Sequence, residues 1–317
     1  MRRRDWSKPL SEPLPSPQTP EEWAQCLADP WWRICSGVLY KIMIKGEDGP
    51  GAAAPVTIKP FLPNINQIAF LHSLHGLNVI LKARQLGFTT QASILALDHA
   101  LWVPNQRCGI IAQDLDVAAE ILRDKVKFAY LHLPDPIRDR MPLSRESAKE
   151  LVFAHNNSAL RVATTMRGST IHFLHISEMG KIAKKKPEHA REIVTGALPA
   201  VPINGIATIE STAEGQEGEF YDIATRAENM AKSGRKAEPG EFRFHFFPWY
   251  LDPGYTVDHR KVKISLKQHE YFDKIEAETG HLLSMGQRAW YVLTLENRFS
   301  GDQQKMFQEM PSTPAEC

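Results

Sequence analysis

The residues whose types best suit catalysis lie in the segment NVILKARQLGFTT at 78–90. In this segment an apolar run is followed by a helical pattern. An apolar run followed by a glycine-containing turn and a helix is typical of a loop that binds phosphate through backbone N–H groups. The standard form is GxxxxGK[ST]. Here Lys82 replaces the first glycine, Phe88 replaces the usual lysine, and Thr89 keeps the hydroxyl that contacts Mg²⁺. Alone, the segment fits an ordinary strand–turn–helix corner equally well.

Three other polar segments adjoin apolar runs in the same region. Ser177 and Glu178 follow the run TIHFLHI, and an acidic residue at such a strand end can contact Mg²⁺ or orient an attacking water. A further run ends in ESTA, where the hydroxyls of Ser211 and Thr212 could sense a γ-phosphate. Gln67 lies 15 residues before Lys82 and could read both hydrogen-bonding edges of adenine. Each segment alone also fits an exposed polar loop, but their order is that of a helicase-like ATPase.

Strands that end at one edge of a sheet are needed to bring these side chains together. Short apolar runs alternate with helical patterns, which predicts an α/β fold with a mainly parallel central sheet flanked by helices. Such a sheet binds ligands at the carboxyl ends of its strands. We predict strands at 78–83, 108–112, 160–164, 170–176, 205–209 and 242–247, helices at 90–102 and 117–130, a loop at 46–55, mostly helix over 265–297, and an irregular tail.

Composition excludes several classes of protein. The 317 residues are 43% hydrophobic and 24% charged, as in globular chains. The sequence has no apolar run long enough for a transmembrane helix, and its basic N-terminus lacks the apolar stretch of a secretory signal. The net charge of +1 neither indicates nor excludes a nucleic-acid partner, because local patches determine that field. Four cysteines without a zinc or CxxC spacing indicate a reducing compartment.

Together the segments resemble the N-terminal ATPase half of the large terminase subunit of tailed double-stranded DNA phages, over about residues 21–317. KARQLGFTT resembles a variant of the family's Walker A loop in which the lysine stands at the start of the loop. GIIAQDLDVAAEI resembles the motif after the second strand, and ATTMRGSTIHFLHISEMGK resembles an Arg-Gly element followed by Walker B. STAEGQEGEFY resembles the coupling motif. FHFFPWYLDPGY and MGQRAWY resemble the segments that leave the ATPase domain, and QEMPSTPAE resembles a linker to a nuclease domain.

The resemblance implies a role for each matching residue. Lys82 would neutralise the β- and γ-phosphates, Arg84 would act as an arginine finger in cis, and Glu178 would orient the attacking water. Thr89 and Glu178 would contact Mg²⁺, although Ser177 stands where the family has aspartate, which weakens that assignment. The implied nucleotide-binding set is Gln67, Lys82, Ala83, Arg84, Gln85, Leu86, Gly87, Phe88, Thr89 and Thr90, and the implied coupling residues are Ser211 and Thr212.

The resemblance also implies a P-loop ATPase domain of the RecA- and helicase-like type over residues 21–255. A flexible arm over 1–20 would precede it, and a helical segment and linker over 256–317 would lead to a nuclease domain that this chain lacks. With ATP and Mg²⁺ as cofactors, the chain would hydrolyse ATP to move viral DNA into the procapsid, without cleaving DNA itself. The implied partners are double-stranded DNA, the portal protein, the small terminase subunit and further copies of this chain in a ring, with no membrane.

The implied location is the cytoplasm of the infected bacterium, transiently at the procapsid portal. Two other interpretations remain: a helicase-like DNA-remodelling ATPase, and a truncated remnant that binds nucleotide without turnover.

A basic cluster after Walker B fits either a DNA contact or a solvated helix, and it comprises Lys181, Lys184, Lys185 and Lys186. Arg167 could reach a phosphate or a neighbouring subunit. We expect His175 to be structural, and the tryptophans to be packing residues.

Overall fold

The structure is a computed structural model that describes residues 5–44 and 56–317; the loop predicted at 46–55 lies outside these ranges. Ten strands are present in this part of the chain. They are β1 (Lys41–Ile44), β2 (Thr57–Pro60), β3 (Leu77–Lys82), β4 (Arg107–Ile111), β5 (Leu143–Glu146), β6 (Glu150–Phe153), β7 (Ala159–Ala163), β8 (Phe173–Ser177), β9 (Ile206–Ser211) and β10 (Phe242–Phe247).

The described helices are longest around the central sheet and in the C-terminal part. They are α1 (Pro20–Ala28), α2 (Pro30–Cys35), α3 (Ile65–His72), α4 (Phe88–Trp102), α5 (Leu115–Ile121), α6 (Phe128–Leu131), α7 (Asp135–Arg138), α8 (Met179–Lys185), α9 (Pro187–Gly196), α10 (Glu219–Lys232), α11 (Leu266–Thr279), α12 (Met285–Phe299) and α13 (Gln303–Glu309). A π-helical stretch, Leu122–Lys127, joins α5 to α6, so the helix predicted over 117–130 forms with a widened middle. Within the described ranges, the helices are too short or too polar to cross a bilayer.

The central sheet has eight strands in the order β10-β3-β9-β8-β4-β7-β6-β5. The strands from β10 to β7 are parallel, and β6 and β5 extend the β7 edge in antiparallel orientation. The predicted α/β fold with a mainly parallel sheet is therefore confirmed. Strand β9 lies between β3 and β8, so the three strands that end in polar residues are neighbours. Glu210 on β9 is paired in register with Ile80 on one side and Ser177 on the other.

Helices cover both faces of the sheet, since each face carries apolar side chains that must leave water. On one face, Val79 and Ile209 pack in a cluster that includes Ile182 of α8 and Phe220 of α10. On the other face, α4 contacts β4 and β8, and Ile94 shares a core with residues of those strands. A third apolar cluster joins the end of β3 to α11, α12 and α13. The C-terminal helices therefore pack on the same sheet that carries the phosphate-loop candidate.

Residues near both ends of the described chain pack against the rest of the fold. Trp6 is buried, and its carbonyl lies 3.1 Å from Nε2 of His72. The flexible arm predicted over 1–20 stays a prediction, and its residues 1–4 lie outside the described part. The tail predicted to be irregular, residues 307–317, begins with the last three residues of α13 and continues without further α-helix. Met310 of this tail is buried in the third cluster, and burial of its apolar side chain helps to hold the tail against the C-terminal helices.

Candidate nucleotide-binding site

The segment between β3 and α4 has the backbone of a phosphate-binding loop. Gln85 and Gly87 adopt left-handed conformations, with φ of 64° and 77°, which turn the chain sharply before α4. Gly87 is the N-cap of α4, and no side chain in the described part of the chain caps this helix. Uncapped N–H groups and the helix dipole make such an end attractive to anions. The loop can therefore hold a phosphate group against the first turn of α4.

Lys82, the last residue of β3, is a buried cation that faces two carboxylates. Its side chain is 5% exposed, and its Nζ lies 3.1 Å from Oε2 of Glu210 and 3.4 Å from Oε1 of Glu178. Burial would lower the pKa of Lys82, but the charges of Glu210 and Glu178 outweigh it and raise the pKa above its usual value. Lys82 therefore keeps its positive charge at the start of the loop, and its predicted contact with the β- and γ-phosphates stays a prediction.

Glu210 is a site residue that the sequence did not single out, although it stands in the ESTA segment. It is fully buried, and its Oε1 accepts hydrogen bonds from Oγ1 of Thr89 at 2.8 Å and from Oγ of Ser177 at 2.9 Å. Burial raises the pKa of Glu210, but Lys82, His175 and Thr89 together hold it well below its usual range. An ionised carboxylate therefore sits beneath the loop hydroxyl.

Glu178 stands just after β8, as predicted, and is the N-cap of α8. Its φ of 56° is a left-handed conformation that non-glycine residues seldom adopt, and such backbones cluster at functional sites. Oε1 faces Lys82, while Oε2 pairs with Lys181 at 3.0 Å. The side chain is a quarter exposed, so it can reach a ligand that enters from solvent.

The predicted coupling residues connect β9 to the helix that follows Glu178. The backbone N–H of Gly180, in the first turn of α8, donates to Oγ of Ser211 at 3.0 Å. A Cβ on Gly180 would stand only 2.8 Å from that oxygen, so glycine permits the close approach. Thr212 is fully buried, and its hydroxyl has no hydrogen-bond partner among the described residues. The hydrogen bond from Gly180 to Ser211 thus joins the end of β9 to the first turn of α8.

The loop arginine is held by the C-terminal part of the chain. Nη1 of Arg84 lies 2.9 Å from Oε2 of Glu309, and the Arg84 N–H donates to the Glu309 carbonyl at 2.8 Å. The hydroxyl of Tyr255 donates to the Arg84 carbonyl at 2.8 Å. About half of the Arg84 side chain is exposed. The predicted finger role would need the Arg84 side chain to exchange Glu309 for a phosphate.

Three other predicted residues make protein contacts around the loop. Gln67 Nε2 donates to the Gly87 carbonyl at 2.8 Å, and its Oε1 accepts from the Asn64 N–H at 2.9 Å, so both ends of its amide are engaged. Phe88 is buried, with its ring centroid 4.6 Å from that of Phe247. Thr90 Oγ1 accepts a hydrogen bond from Lys125 at 3.1 Å. The adenine contact of Gln67 stays a prediction.

Most of the residues with open interpretations lie outside the cluster of Lys82, Glu178 and Glu210, but Lys181 pairs with Glu178 and His175 lies beside Glu210. Lys184 pairs with Glu214, and Arg167 pairs with Glu192. His175, expected to be structural, is fully buried on β8 with its Nε2 3.4 Å from Oε1 of Glu210. The histidine therefore lies beneath the site rather than at its surface.

The oxygen groups at the end of the sheet suit Mg²⁺ that arrives with a nucleotide. Mg²⁺ in proteins is usually held by one or two carboxylates, water and substrate phosphates, rather than by a full set of protein ligands. In the described ranges, no group of three or more His, Cys, Asp or Glu side chains forms a metal site. Thr89, Glu178 and Glu210 supply oxygen atoms next to the loop, and this donor set fits the ion.

Comparison with solved structures shows a shared fold at low sequence identity. A single-substitution variant of the large terminase ATPase domain of Thermus phage P74-26 is 19% identical, with a TM-score of 0.50, over 79% of this chain and 93% of that one. The large terminase of bacteriophage HK97 is 18% identical, with a TM-score of 0.52, over 88% of this chain and 54% of that one. This chain thus spans about half the length of the HK97 protein.

The comparison confirms the predicted resemblance at the level of fold, which this chain shares with these large terminase structures. No family model matches the sequence, and a search of curated proteins gives no match.

Proposed function

We propose that this chain binds ATP with Mg²⁺ and hydrolyses it at the loop between β3 and α4. The observation that carries the proposal is the position of Lys82, which lies 3.4 Å from Glu178 and shares the Glu210 carboxylate with Thr89 of the uncapped first turn of α4. A permanent cation, a hydroxyl and a carboxylate around an anion-binding helix end are the parts that phosphoryl transfer requires. The fold shared with terminase ATPase domains supports the same reading.

In this mechanism, the protein supplies position and charge rather than a covalent intermediate. Lys82 and the N–H groups of the first turn of α4 bind the phosphates and stabilise the charge that grows on them. Glu178 accepts a hydrogen bond from the attacking water and orients it towards the γ-phosphate. Mg²⁺, when bound with the nucleotide, neutralises phosphate charge beside Thr89. Arg84 adds a second cation once it leaves Glu309.

The proposal extends to a role in DNA packaging. Hydrolysis would drive movement of double-stranded viral DNA into a procapsid, with copies of this chain arranged as a ring on the portal protein and recruited with a small terminase subunit in the host cytoplasm. The contact between Ser211 and Gly180 supports this reading, because it couples the strand end at the site to an adjoining helix. The basic residues Lys184 and Lys185, at the end of α8, are the candidates for a DNA contact.

Steady-state ATP hydrolysis tests the proposal, with and without linear duplex DNA. We expect turnover by the unchanged chain, stimulation by DNA, and a loss of about 100-fold or more in Glu178→Gln, equivalent to about 2.7 kcal/mol on the barrier. Glu150→Gln, which removes a carboxylate on the distant strand β6, is the matched control and should keep full turnover. Nucleotide binding without turnover by the unchanged chain would instead favour a non-catalytic remnant. Turnover with strand separation of duplex DNA would favour a helicase-like enzyme.

A further inference from the structure

The last residue of β8 is Ser177, at the position where a phosphate-loop site has an aspartate beside the loop Ser or Thr. In such sites Mg²⁺ is held between the loop Ser or Thr and a strand-end aspartate. Ser177 occupies that strand end, and its Oγ donates a hydrogen bond to Glu210 at 2.9 Å. Because Ser177 and Glu210 are paired in register on adjacent parallel strands, they lie on the same face of the sheet. The missing carboxylate is thus present one strand away.

Glu210 contacts two side chains of the phosphate-loop segment. Its Oε1 accepts the hydrogen bond of the Thr89 hydroxyl at 2.8 Å, and its Oε2 faces the Lys82 ammonium at 3.1 Å. Both partners belong to the phosphate-loop segment, yet Glu210 itself is on β9. The carboxylate therefore holds in place the hydroxyl and the cation that a bound nucleotide would contact.

A second buried group points at the same carboxylate. His175 lies two residues before Ser177, on the same face of β8, and is fully buried. Its Nε2 is 3.4 Å from Oε1 of Glu210, and neither ring nitrogen has a hydrogen-bond partner in the described part of the chain. Burying an unpartnered polar group costs free energy. The pair is thus a polar cluster kept within the core at the base of the site.

We propose that Glu210 is the acidic residue that positions Thr89 and the Mg²⁺ ion of a bound nucleotide, in place of the aspartate that Ser177 replaces. The inference rests on the proposed nucleotide site and assigns its metal-side carboxylate to β9 instead of β8. Glu178 is then left free to orient water, because it does not also have to serve the ion. Glu210 acts as a positioning residue through Thr89.

Nucleotide affinity measured with and without the ion tests this assignment without relying on turnover. We would titrate ADP and ATPγS calorimetrically in excess Mg²⁺ and in EDTA. For Glu210→Gln we expect the gain in affinity on adding Mg²⁺ to fall by roughly 10- to 100-fold. The affinity in EDTA should stay the same or rise, because a negative charge near the phosphates has been removed. A merely structural role would lower both affinities alike.

Exchange of the two register partners gives a second test that keeps the net charge. The double variant Ser177→Asp/Glu210→Ser moves the carboxylate to β8, at the residue whose hydroxyl contacts Glu210. We expect it to recover most of the Mg²⁺ dependence that Glu210→Ser loses. Because the double variant keeps the net charge of the cluster, it should fold even if Glu210→Gln does not. A double variant no better than Glu210→Ser would overturn the proposal.

Asp98→Asn is the matched control, since Asp98 is also a buried, ion-paired carboxylate and lies near the far end of α4. It should lower stability without changing the effect of Mg²⁺ on nucleotide affinity. If Glu210→Gln keeps the full Mg²⁺ effect, this inference is wrong while the proposed function stands. If the unchanged chain binds no nucleotide in either solution, both are overturned.

Discussion

Arg84 and Glu309 are joined twice, once through their side chains at 2.9 Å and once through the backbone at 2.8 Å, across 225 residues of sequence. The first residue follows the strand that enters the phosphate loop, and the second is the last residue of α13. The C-terminal part of the described chain therefore contacts the loop. Its Glu309 pairs with Arg84, an arginine that the proposed chemistry would use.

Variants of this pair should change turnover in opposite directions. Arg84→Ala should lower kcat by about 10³-fold or more if the arginine reaches the transition state. Glu309→Gln should raise kcat by roughly 2- to 5-fold, because breaking a half-exposed ion pair of this kind costs at most about 1 kcal/mol. Single-turnover ATP hydrolysis measures both effects. A drop in kcat in Glu309→Gln similar to that of Arg84→Ala would show that the pair is needed intact.

Restoring the usual lysine at position 88 should harm the protein rather than repair the motif. Phe88 packs against Phe70 and Phe247, with ring centroids 5.9 and 4.6 Å away. Phe88→Lys should therefore lower the free energy of unfolding by about 3 kcal/mol or more. It should also fail to restore nucleotide binding to Lys82→Ala. Urea unfolding and nucleotide titration measure the two effects, with Phe88→Leu as the milder apolar control. Recovery of binding by Lys82→Ala/Phe88→Lys would contradict this assignment of the lysine.

Asp98 should matter for stability and leave nucleotide affinity unchanged. Its two carboxylate oxygens accept from Nε and Nη2 of Arg33, each at 2.8 Å, and one also accepts from the Tyr40 hydroxyl at 2.7 Å. Asp98→Asn leaves a buried guanidinium without its counter-charge, so we expect a loss of roughly 3 kcal/mol in urea unfolding. Glu150→Gln, at an ion pair with Arg145 that is exposed on the arginine side, should cost less than about 1 kcal/mol. Equal losses in the two variants would refute the ranking.

The pH dependence of stability should carry a contribution from His245. Burial, with the nearby Arg243 and His75, lowers the pKa of His245 to about 3 in the folded protein. A lowered folded-state pKa means that the contribution is complete above the unfolded pKa near 6.5 and is lost as the pH falls towards 3. The expected slope for this group is about 1.4 kcal/mol per pH unit within that window. Urea unfolding at a series of pH values should show a shallower acid loss for His245→Gln than for the unchanged chain.

The phosphate loop was predictable because its signal is local. An apolar strand, a glycine turn and a helix follow one another within 13 residues, and the structure places β3, the loop and α4 there. The antiparallel strands β5 and β6 were not predicted. The residues Leu143–Glu146 of β5 are largely exposed, so the strand lacks the apolar run that marks the central strands.

The role of Glu210 was not predictable from the chain alone. Its contacts depend on β9 lying between β3 and β8 and on the register that pairs it with Ser177. Strand order and register are set by tertiary packing, and the sequence of a short segment does not reveal them. The link between Arg84 and Glu309 escaped prediction for the same reason, since their separation in sequence gives no local pattern.

The left-handed backbone of Glu178 sets the proposed hydrolysis against thermal stability. Glycine or asparagine would adopt this conformation more readily, and relief of such a backbone is worth roughly 1 kcal/mol. A selection for heat resistance alone would therefore favour replacement of Glu178, although the replaced chain would lack the carboxylate beside Lys82. Stabilised variants made to test the proposed ATPase activity should therefore be selected with Glu178 left unchanged.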